Sequence, residues 1–196
     1  MDYHSDRFAD CSWIAFKNGR LAALLPANLT DDGVLHSHGG LTYGGWVLPR
    51  AHIDGNDLLE IFCEAVRVWH KAGIRSLDYK PIPSFYTLQP SEEDQYALFR
   101  LGATLTERNI SSTIQLSNGV HFNTLQRRHL AKASTLPVSI EETSDIAQFM
   151  AMLADCLRER HATQPVHSIE EMQLLASRFP ENIRFFAVML YVRMQA

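Results

Sequence analysis

The chain has 196 residues, of which 46% are apolar and 20% are charged, so it can bury a hydrophobic core and is not a disordered segment. Its formal net charge of −4 argues against a dedicated nucleic-acid or anionic-membrane binder. Three cysteines without a CxxC pair argue against a disulfide framework or a zinc cluster and favour reduced thiols.

The N-terminal segment mixes acidic, basic and polar side chains and contains no apolar stretch of the kind found in a signal peptide. No uninterrupted apolar run in the chain approaches the roughly 20 residues of a membrane span. We therefore expect a soluble, cytoplasmic protein with no transmembrane segment and no export signal.

The first quarter of the chain is rich in β-prone residues. Two such runs, residues 12–16 and 20–25, flank Asn18-Gly19, a strong short-range signal for a β-hairpin. The chain then predicts a short strand at 34–37, a glycine-rich loop at 39–45 and a strand-like segment at 46–48.

Two histidines fall at the end of the short strand. His36 and His38 alternate by two, so both would point to one face if the segment is a strand throughout. A metal site, a general base and ordinary surface or turn histidines are the alternatives. The sequence favours the last because a structural zinc site needs about four ligands and none besides these two is evident.

Helical periodicity begins after Pro49. Apolar residues recur every three or four positions from Leu58 to Ala72, which predicts an amphipathic helix capped by Gly73. Cys63 and Cys156 lie within or beside apolar helical stripes, so we expect small core residues rather than nucleophiles. A strand at 74–79, stopped by prolines, and a short helix at 91–100 follow.

The rest of the chain predicts further elements of both kinds. They are a hairpin of 103–107 and 110–116 joined at Arg108-Asn109, a helix at 125–134, a strand at 138–141, a helix at 144–158, and a helix through Arg178 introduced by the capping-box pair Ser168 and Glu171. Residues 185–192 form a nearly continuous apolar run, which is typical of a strand buried on both faces.

This order of elements predicts an α/β protein with a mixed sheet of the α+β kind. The pattern restarts at Pro137, so we expect a first domain at 1–123, a basic helical linker at 124–136 and a second domain at 137–196. A central apolar strand at 185–192 needs neighbours on both sides. Either the first domain covers that strand or the second domain is incomplete.

Several side chains are candidates for binding a ligand. Tyr43 sits in the glycine-rich loop, where it could donate a hydrogen bond or shuttle a proton; the alternative is a turn whose glycines only permit positive φ. Lys80 follows a strand at the expected rim of the sheet, with a solvated lysine as the alternative. Arg127, Arg128 and Lys132 suit a phosphate or another anionic group, or form a solvated helix face.

Several common catalytic motifs are absent from the sequence. The chain has no Gly-x-Ser-x-Gly, no Walker loop and no His-Glu-x-x-His. These absences argue against hydrolases of the nucleophile-elbow type, P-loop nucleotidases and zincins.

Three segments occur in order along the chain. They are Gly39-Gly40-Leu41-Thr42-Tyr43-Gly44-Gly45, then Tyr79-Lys80-Pro81-Ile82-Pro83 with Tyr86, then Arg127-Arg128-His129-Leu130-Ala131-Lys132-Ala133. Together they resemble the FemAB-like branch of the GNAT acyltransferase superfamily, and the similarity runs over essentially the whole chain. The resemblance implies two tandem GNAT folds, each a mixed sheet flanked by helices, with the second domain incomplete in this chain.

The resemblance also implies a function. Such proteins transfer an acyl or aminoacyl group to an amine, here on a small molecule or a cell-wall precursor. The donor would be an acyl-CoA such as acetyl-CoA, or an aminoacyl-tRNA, which would make tRNA the only nucleic-acid partner; no metal is expected. The first domain would position the acceptor, with Tyr43, Lys80, Tyr86, Arg127 and Arg128 as substrate-binding residues. No catalytic base and no cofactor-binding residue is assigned.

The chain departs from the family pattern at the acyl-CoA site. The motif whose backbone amides hold the pyrophosphate in GNAT proteins is missing, since residues 49–55 lack its glycine spacing and Asp54 would repel phosphate. An alternative hypothesis is therefore a noncatalytic binding or oligomerisation module. Its terminal strand at 185–192 could pair with a second copy of the chain.

Overall fold

The computed structural model describes residues 6–49, 53–89 and 91–190. The chain divides into two compact units, Met1–Ile110 and Ser111–Ala196. The described residues form five α-helices and seven strands, the strands being arranged in three small sheets. The protein is therefore of mixed α/β class, as the sequence predicts.

The first unit contains five strands and two α-helices. They are β1 (Trp13–Lys17), β2 (Arg20–Leu25), β3 (Asn28–Leu29), β4 (Val34–His36), α1 (Gly55–Lys71), β5 (Ser76–Asp78) and α2 (Glu93–Arg100), with a 3₁₀ turn at Ser84–Tyr86 before α2. Strands β1 and β2 form one sheet, and β3, β4 and β5 form another in that order.

The first predicted hairpin is confirmed. Strands β1 and β2 pair antiparallel, and both turn residues, Asn18 and Gly19, have positive φ (51° and 74°). A two-residue turn of this kind matches the twist of the flanking strands, and Asn-Gly adopts it at little cost. An ion pair between Lys17 and Asp57 ties the end of the hairpin to the first turn of α1.

Helix α1 forms where the apolar periodicity predicts a helix, and its buried face packs in the core. Its buried residues are Leu58, Phe62 and Trp69, which lie on one stripe of the helix. The helix begins with a reciprocal capping box, in which the Asp57 amide donates to Asp54 Oδ1 at 2.9 Å. Residues 50–52 of the segment compared with the acyl-CoA motif lie outside the described residues.

The sheet of β3, β4 and β5 positions the candidate site. Strand β3 runs antiparallel to β4, whereas β4 and β5 are parallel, with Leu35 opposite Leu77 and His36 opposite Asp78. The strands predicted at 34–37 and 74–79 are thus confirmed, with shorter bounds. In the segment 46–48, pairing is limited to an isolated bridge between Val47 and Leu24.

The prediction that two cysteines are core residues is wrong. Cys63 and Cys156 are both exposed, and Cys11 is half-buried. Cys63 follows Phe62 directly and therefore lies about 100° around α1 from the buried stripe. Proximity to an apolar stripe in sequence does not place a helical residue on it.

The second predicted hairpin is also wrong. Residues 103–115 form no helix or strand, and their apolar side chains are exposed, Ile110 completely so. Arg108-Asn109 contains no glycine for a turn that needs positive φ at both central residues. A two-stranded hairpin is at best marginal unless one face packs on a core, and these side chains are not buried.

The second unit contains three α-helices and two strands. They are α3 (Thr124–Ala133), β6 (Val138–Thr143), α4 (Ile146–His161), α5 (Ile169–Arg178) and β7 (Phe185–Leu190), with a 3₁₀ turn at Leu116–Asn118 before α3. The capping box that introduces α5 is confirmed, since the Glu171 amide donates to Ser168 Oγ at 3.2 Å.

Strand β7 forms where it is predicted, but burial on both faces is wrong. Among the described residues it pairs with β6 alone, antiparallel. Phe185 is buried and its ring meets Phe149 of α4 at 5.1 Å between centroids, whereas Phe186 and Val188 are exposed. Burial is therefore limited to the start of the face that carries Phe185, and residues 191 and 192 lie outside the described residues.

Within the described residues, no helix combines the length and the apolar character that crossing a membrane would require.

Candidate functional site

The carboxyl ends of the parallel strands β4 and β5 are joined by a set of hydrogen bonds, here called the strand-end clamp. The Ser37 amide donates to the Asp78 carbonyl at 2.9 Å, and the Lys80 amide donates to Ser37 Oγ at 2.7 Å. The Gly44 amide then donates to the Lys80 carbonyl at 2.8 Å. These bonds fasten the glycine-rich loop to the segment that leaves β5.

Glycine is required at two positions of the loop. A Cβ on Gly44 would lie 2.0 Å from the Ser37 carbonyl oxygen, and one on Gly45 would lie 2.6 Å from Tyr79 Oη. Gly45 also has a φ of +100°, which L side chains rarely adopt. These two glycines therefore serve close packing against β4 and β5 as well as a turn.

A half-buried tyrosine, Tyr79, is hydrogen-bonded to the end of the loop. Tyr79 Oη accepts a hydrogen bond from the Trp46 amide at 2.9 Å and donates one to Asp94 Oδ2 of α2 at 3.1 Å. Burial, and then the nearby Asp94 charge, raise the pKa of Tyr79, so the hydroxyl stays protonated and able to donate. Burial likewise raises the pKa of the Asp94 carboxyl above its usual range.

A polar row crosses the sheet where β3, β4 and β5 lie side by side. Asn28, His36 and Asp78 are in register on the three strands. Asn28 Oδ1 accepts a hydrogen bond from the Gly39 amide at 2.6 Å, and His36 Nδ1 lies 3.0 Å from Asp78 Oδ2. The row therefore links one end of the glycine-rich loop to the last residue of β5.

The two histidines do not share a strand face. His36 ends β4, but His38 has a φ of +65° and is buried, with its ring edge-on to Phe8 at 5.7 Å. The chain turns between them, so the strand alternation that the sequence suggests ends at His36. His38 begins a turn, since the Leu41 amide donates to its carbonyl at 3.1 Å, so it fits the expected turn histidine although its side chain is buried.

Two predicted substrate-binding residues touch each other. The Tyr43 and Tyr86 rings stack with centroids 5.1 Å apart and an angle of 24°, and Phe85 lies 4.6 Å from Tyr86. Partial burial, followed by hydrogen bonding with Tyr86, raises the pKa of Tyr43. Tyr86 and Phe85 are exposed, so the cluster presents an aromatic surface to solvent.

The other predicted residues are distributed between the two units. Lys80 takes part in the strand-end clamp through its backbone amide and carbonyl. Arg127 and Arg128 lie on α3 of the second unit and are exposed. That helix starts with a capping box of Asn123 and Gln126.

Sequence reasoning missed several polar residues of this site. They are Asn28, Ser37, Asp78, Tyr79 and Asp94. A signal was present, because Ser37 and Tyr79 are polar residues at the ends of short strands that must bury one face. Which residues they bond to depends on strand register, which local sequence does not give. Among the described residues, no three His, Cys, Asp or Glu side chains are grouped closely enough to hold a metal ion.

The chain was also compared with known proteins. It gives no significant match to any family model, to any curated protein or to any solved structure.

The contact at Gly44 predicts a specific loss of stability. Gly44→Ala places a methyl group against the Ser37 carbonyl, so the clamp must open, and we expect a loss of about 3 kcal/mol in the free energy of unfolding. Gly102→Ala is the control, since its φ is +73° but no atom lies within 4 Å of its Cβ, and about 1 kcal/mol is expected. Urea unfolding measures both; equal losses would contradict the packing role of Gly44.

The raised pKa of Asp94 predicts a pH-dependent difference between variants. The native state holds the proton of Asp94 more tightly than the unfolded state, so the wild type loses stability as pH rises through the native pKa. Asp94→Asn keeps an oxygen acceptor for Tyr79 but carries no charge. We expect it to be more stable than the wild type at neutral pH, with the difference shrinking on acidification.

Thermal unfolding across the acidic to neutral range checks this prediction. Asp31→Asn, at an exposed position, serves as the matched control and should show no such pH-dependent gain. A variant of Asp94 that is less stable than the wild type at neutral pH would show that the charged carboxylate is favourable where it lies.

Proposed function

We propose that the chain is a FemAB-like N-acyltransferase of the GNAT superfamily and that its first unit binds the amine acceptor. The observation that supports this most directly is the strand-end clamp. Two of the family-like segments, the glycine-rich loop and the segment after β5, are fastened to each other through Ser37, Gly44 and Lys80 and meet again at the Tyr43–Tyr86 stack. The glycine-rich loop and the segment after β5, which are separate in sequence, thus lie together at the carboxyl ends of β4 and β5.

The chemistry of this edge suits an amine acceptor that also carries an anionic group. The exposed aromatic surface of Tyr86 and Phe85 can pack on the acceptor or attract its ammonium group. Lys80 belongs to the same edge through its backbone, and its ammonium group is the proposed cation there. On the second unit, Arg127 and Arg128 stay proposed contacts to an anionic group of a substrate, since guanidinium groups bind such groups with two parallel hydrogen bonds.

In the proposed reaction the acceptor nitrogen attacks the carbonyl carbon of an acyl-CoA or an aminoacyl-tRNA. A strand amide stabilises the oxyanion, and the thiol or the tRNA hydroxyl leaves. Both donors are found in the cytoplasm, so the proposal includes a cytoplasmic location. It also includes the tandem GNAT architecture, with residues 137–196 in the second domain.

Transfer by the whole chain tests this proposal. The protein is incubated with one donor at a time, acetyl-CoA or alanyl-tRNA. Each donor is combined with a panel of amine acceptors, namely amino sugars, amino acids and lysine-containing peptides. N-acylated product is detected by mass spectrometry, because the exposed Cys63 and Cys156 would react with a thiol reagent. We expect product from at least one donor, and saturable heat in a titration with that donor.

Variants connect any transfer to the aromatic surface. Tyr86→Ala should raise the KM for the amine by about tenfold, the equivalent of roughly 1.4 kcal/mol of lost ring contacts. Phe99→Ala, which removes an exposed ring from α2, is the matched control and should leave KM unchanged. A folded wild type that yields no product from either donor with any amine would refute the proposed activity.

A noncatalytic oligomerisation module is the second candidate, and one observation favours it. Strand β7 pairs with β6 alone among the described residues and exposes Phe186, Val188 and Leu190. An apolar strand with an unpaired edge can add to the same strand of a second copy.

Light scattering over a wide range of protein concentration tests self-association. The module hypothesis expects a mass that rises toward a dimer, and Val188→Lys should hold the chain as a monomer. Val166→Lys, at another exposed valine in the second unit, is the control and should leave the dimer intact. A monomer at every concentration would dismiss this candidate.

A further inference from the structure

The geometry points to His36, oriented by Asp78, as the general base that accepts the proton of the amine at the first unit's site. This inference rests on the proposed function and adds to it a residue with a chemical role. His36 Nδ1 lies 3.0 Å from Asp78 Oδ2, and both residues are the last of their strands. They therefore sit at the carboxyl edge of the parallel pair, where α/β sheets commonly bind ligands.

The hydrogen bond determines which nitrogen is available. An ionised carboxylate only accepts hydrogen bonds, so Nδ1 of His36 must carry the proton that it shares with Asp78. In the neutral imidazole the lone pair then lies on Nε2. The same arrangement, with a carboxylate fixing the tautomer, prepares the histidine of a serine-protease triad for proton transfer.

Position and exposure favour a role beyond joining two strands. The side chains of His36 and Asp78 are 27% and 44% exposed, so the pair opens to solvent on one side. His36 is followed directly by Ser37, and Asp78 stands two residues before Lys80, so both belong to the two segments that the strand-end clamp joins. A small displacement of the clamp would therefore move the pair as well.

Three described residues on neighbouring segments face or interact with His36. Asp78 faces it from β5, Asn28 is its uncharged partner on β3, and Asp32 in the turn before β4 interacts with its charge. Asp78 and Asp32 are both acidic.

The proton balance of the step is complete. The acceptor nitrogen, present as the neutral amine, forms a bond to the carbonyl carbon of an acyl thioester while Nε2 of His36 takes a proton from that nitrogen. The carbon–sulfur bond then breaks, and the thiolate leaves with the proton returned by the imidazolium. The histidine ends as it began, neutral and hydrogen-bonded to Asp78.

The first arm of the test needs no substrate. Nitrogen NMR of the full chain at alkaline pH reports the tautomer of each histidine, and His36→Gln identifies the signal of His36. We expect the Nδ1-protonated form in the wild type and its loss in Asp78→Asn. A wild type in which His36 carries its proton on Nε2 would overturn the proposed dyad.

The second arm uses acetyl transfer from acetyl-CoA to the amine that the wild type acetylates best. We expect His36→Gln to lower kcat by about a hundredfold or more, with KM for the amine within about twofold and the same unfolding temperature. Any rise of kcat with pH that this base gives the wild type should be absent from the variant. His70→Gln, at an exposed position on α1, is the control and should keep the wild-type rate and pH profile.

The outcomes separate this inference from the proposed function. A folded His36→Gln that keeps kcat within about threefold of the wild type overturns the assignment of the base and leaves acyl transfer standing. A wild type that transfers no acetyl group overturns the acyl-CoA route, and the base assignment falls with it. If Asp78→Asn lowers the rate but His36 keeps its proton on Nδ1 in that variant, then Asp78 does not orient His36.

Discussion

The strand-end clamp is the constraint on which the rest of the first unit's site depends. Ser37 is buried, and a buried hydroxyl without a partner costs about 1–3 kcal/mol, so its bond to the Lys80 amide is needed as much as it is favourable. The next bond, from the Gly44 amide to the Lys80 carbonyl, is possible only because no Cβ separates the loop from β4. One serine and one glycine thus fix where the loop lies.

The clamp also explains how two short strands serve both a core and a site. Leu35 is fully buried and Leu77 packs against the same core on one face of the sheet, whereas His36 and Asp78 alternate to the other face. Tyr79 extends the apolar face and uses its hydroxyl to bind the Trp46 amide and Asp94. Stability and the proposed chemistry therefore share the same strands, and a change in their register would disrupt both.

The sequence correctly predicted the elements whose formation depends on residues close to one another in the chain. Helix α1 follows its apolar period, the first hairpin follows Asn18-Gly19, and α5 follows its capping box. The hairpin expected around Arg108 failed because neither a suitable turn nor a core stabilises it, and the apolar run of β7 did not reveal that one face would be exposed. The pairing of His36 with Asp78 spans 42 positions in sequence, so only strand register could place it.

Hydrogen exchange at the amides of Gly44 and Lys80 tests the central claim, that the glycine-rich loop and the segment after β5 form one fastened edge. Both amides should be protected in the wild type. In Ser37→Ala both should exchange about fivefold faster or more, consistent with the loss of a hydrogen bond of about 1 kcal/mol, while the amides of α1 keep their protection. Unprotected Gly44 and Lys80 amides in the wild type, or no change in Ser37→Ala, would contradict it.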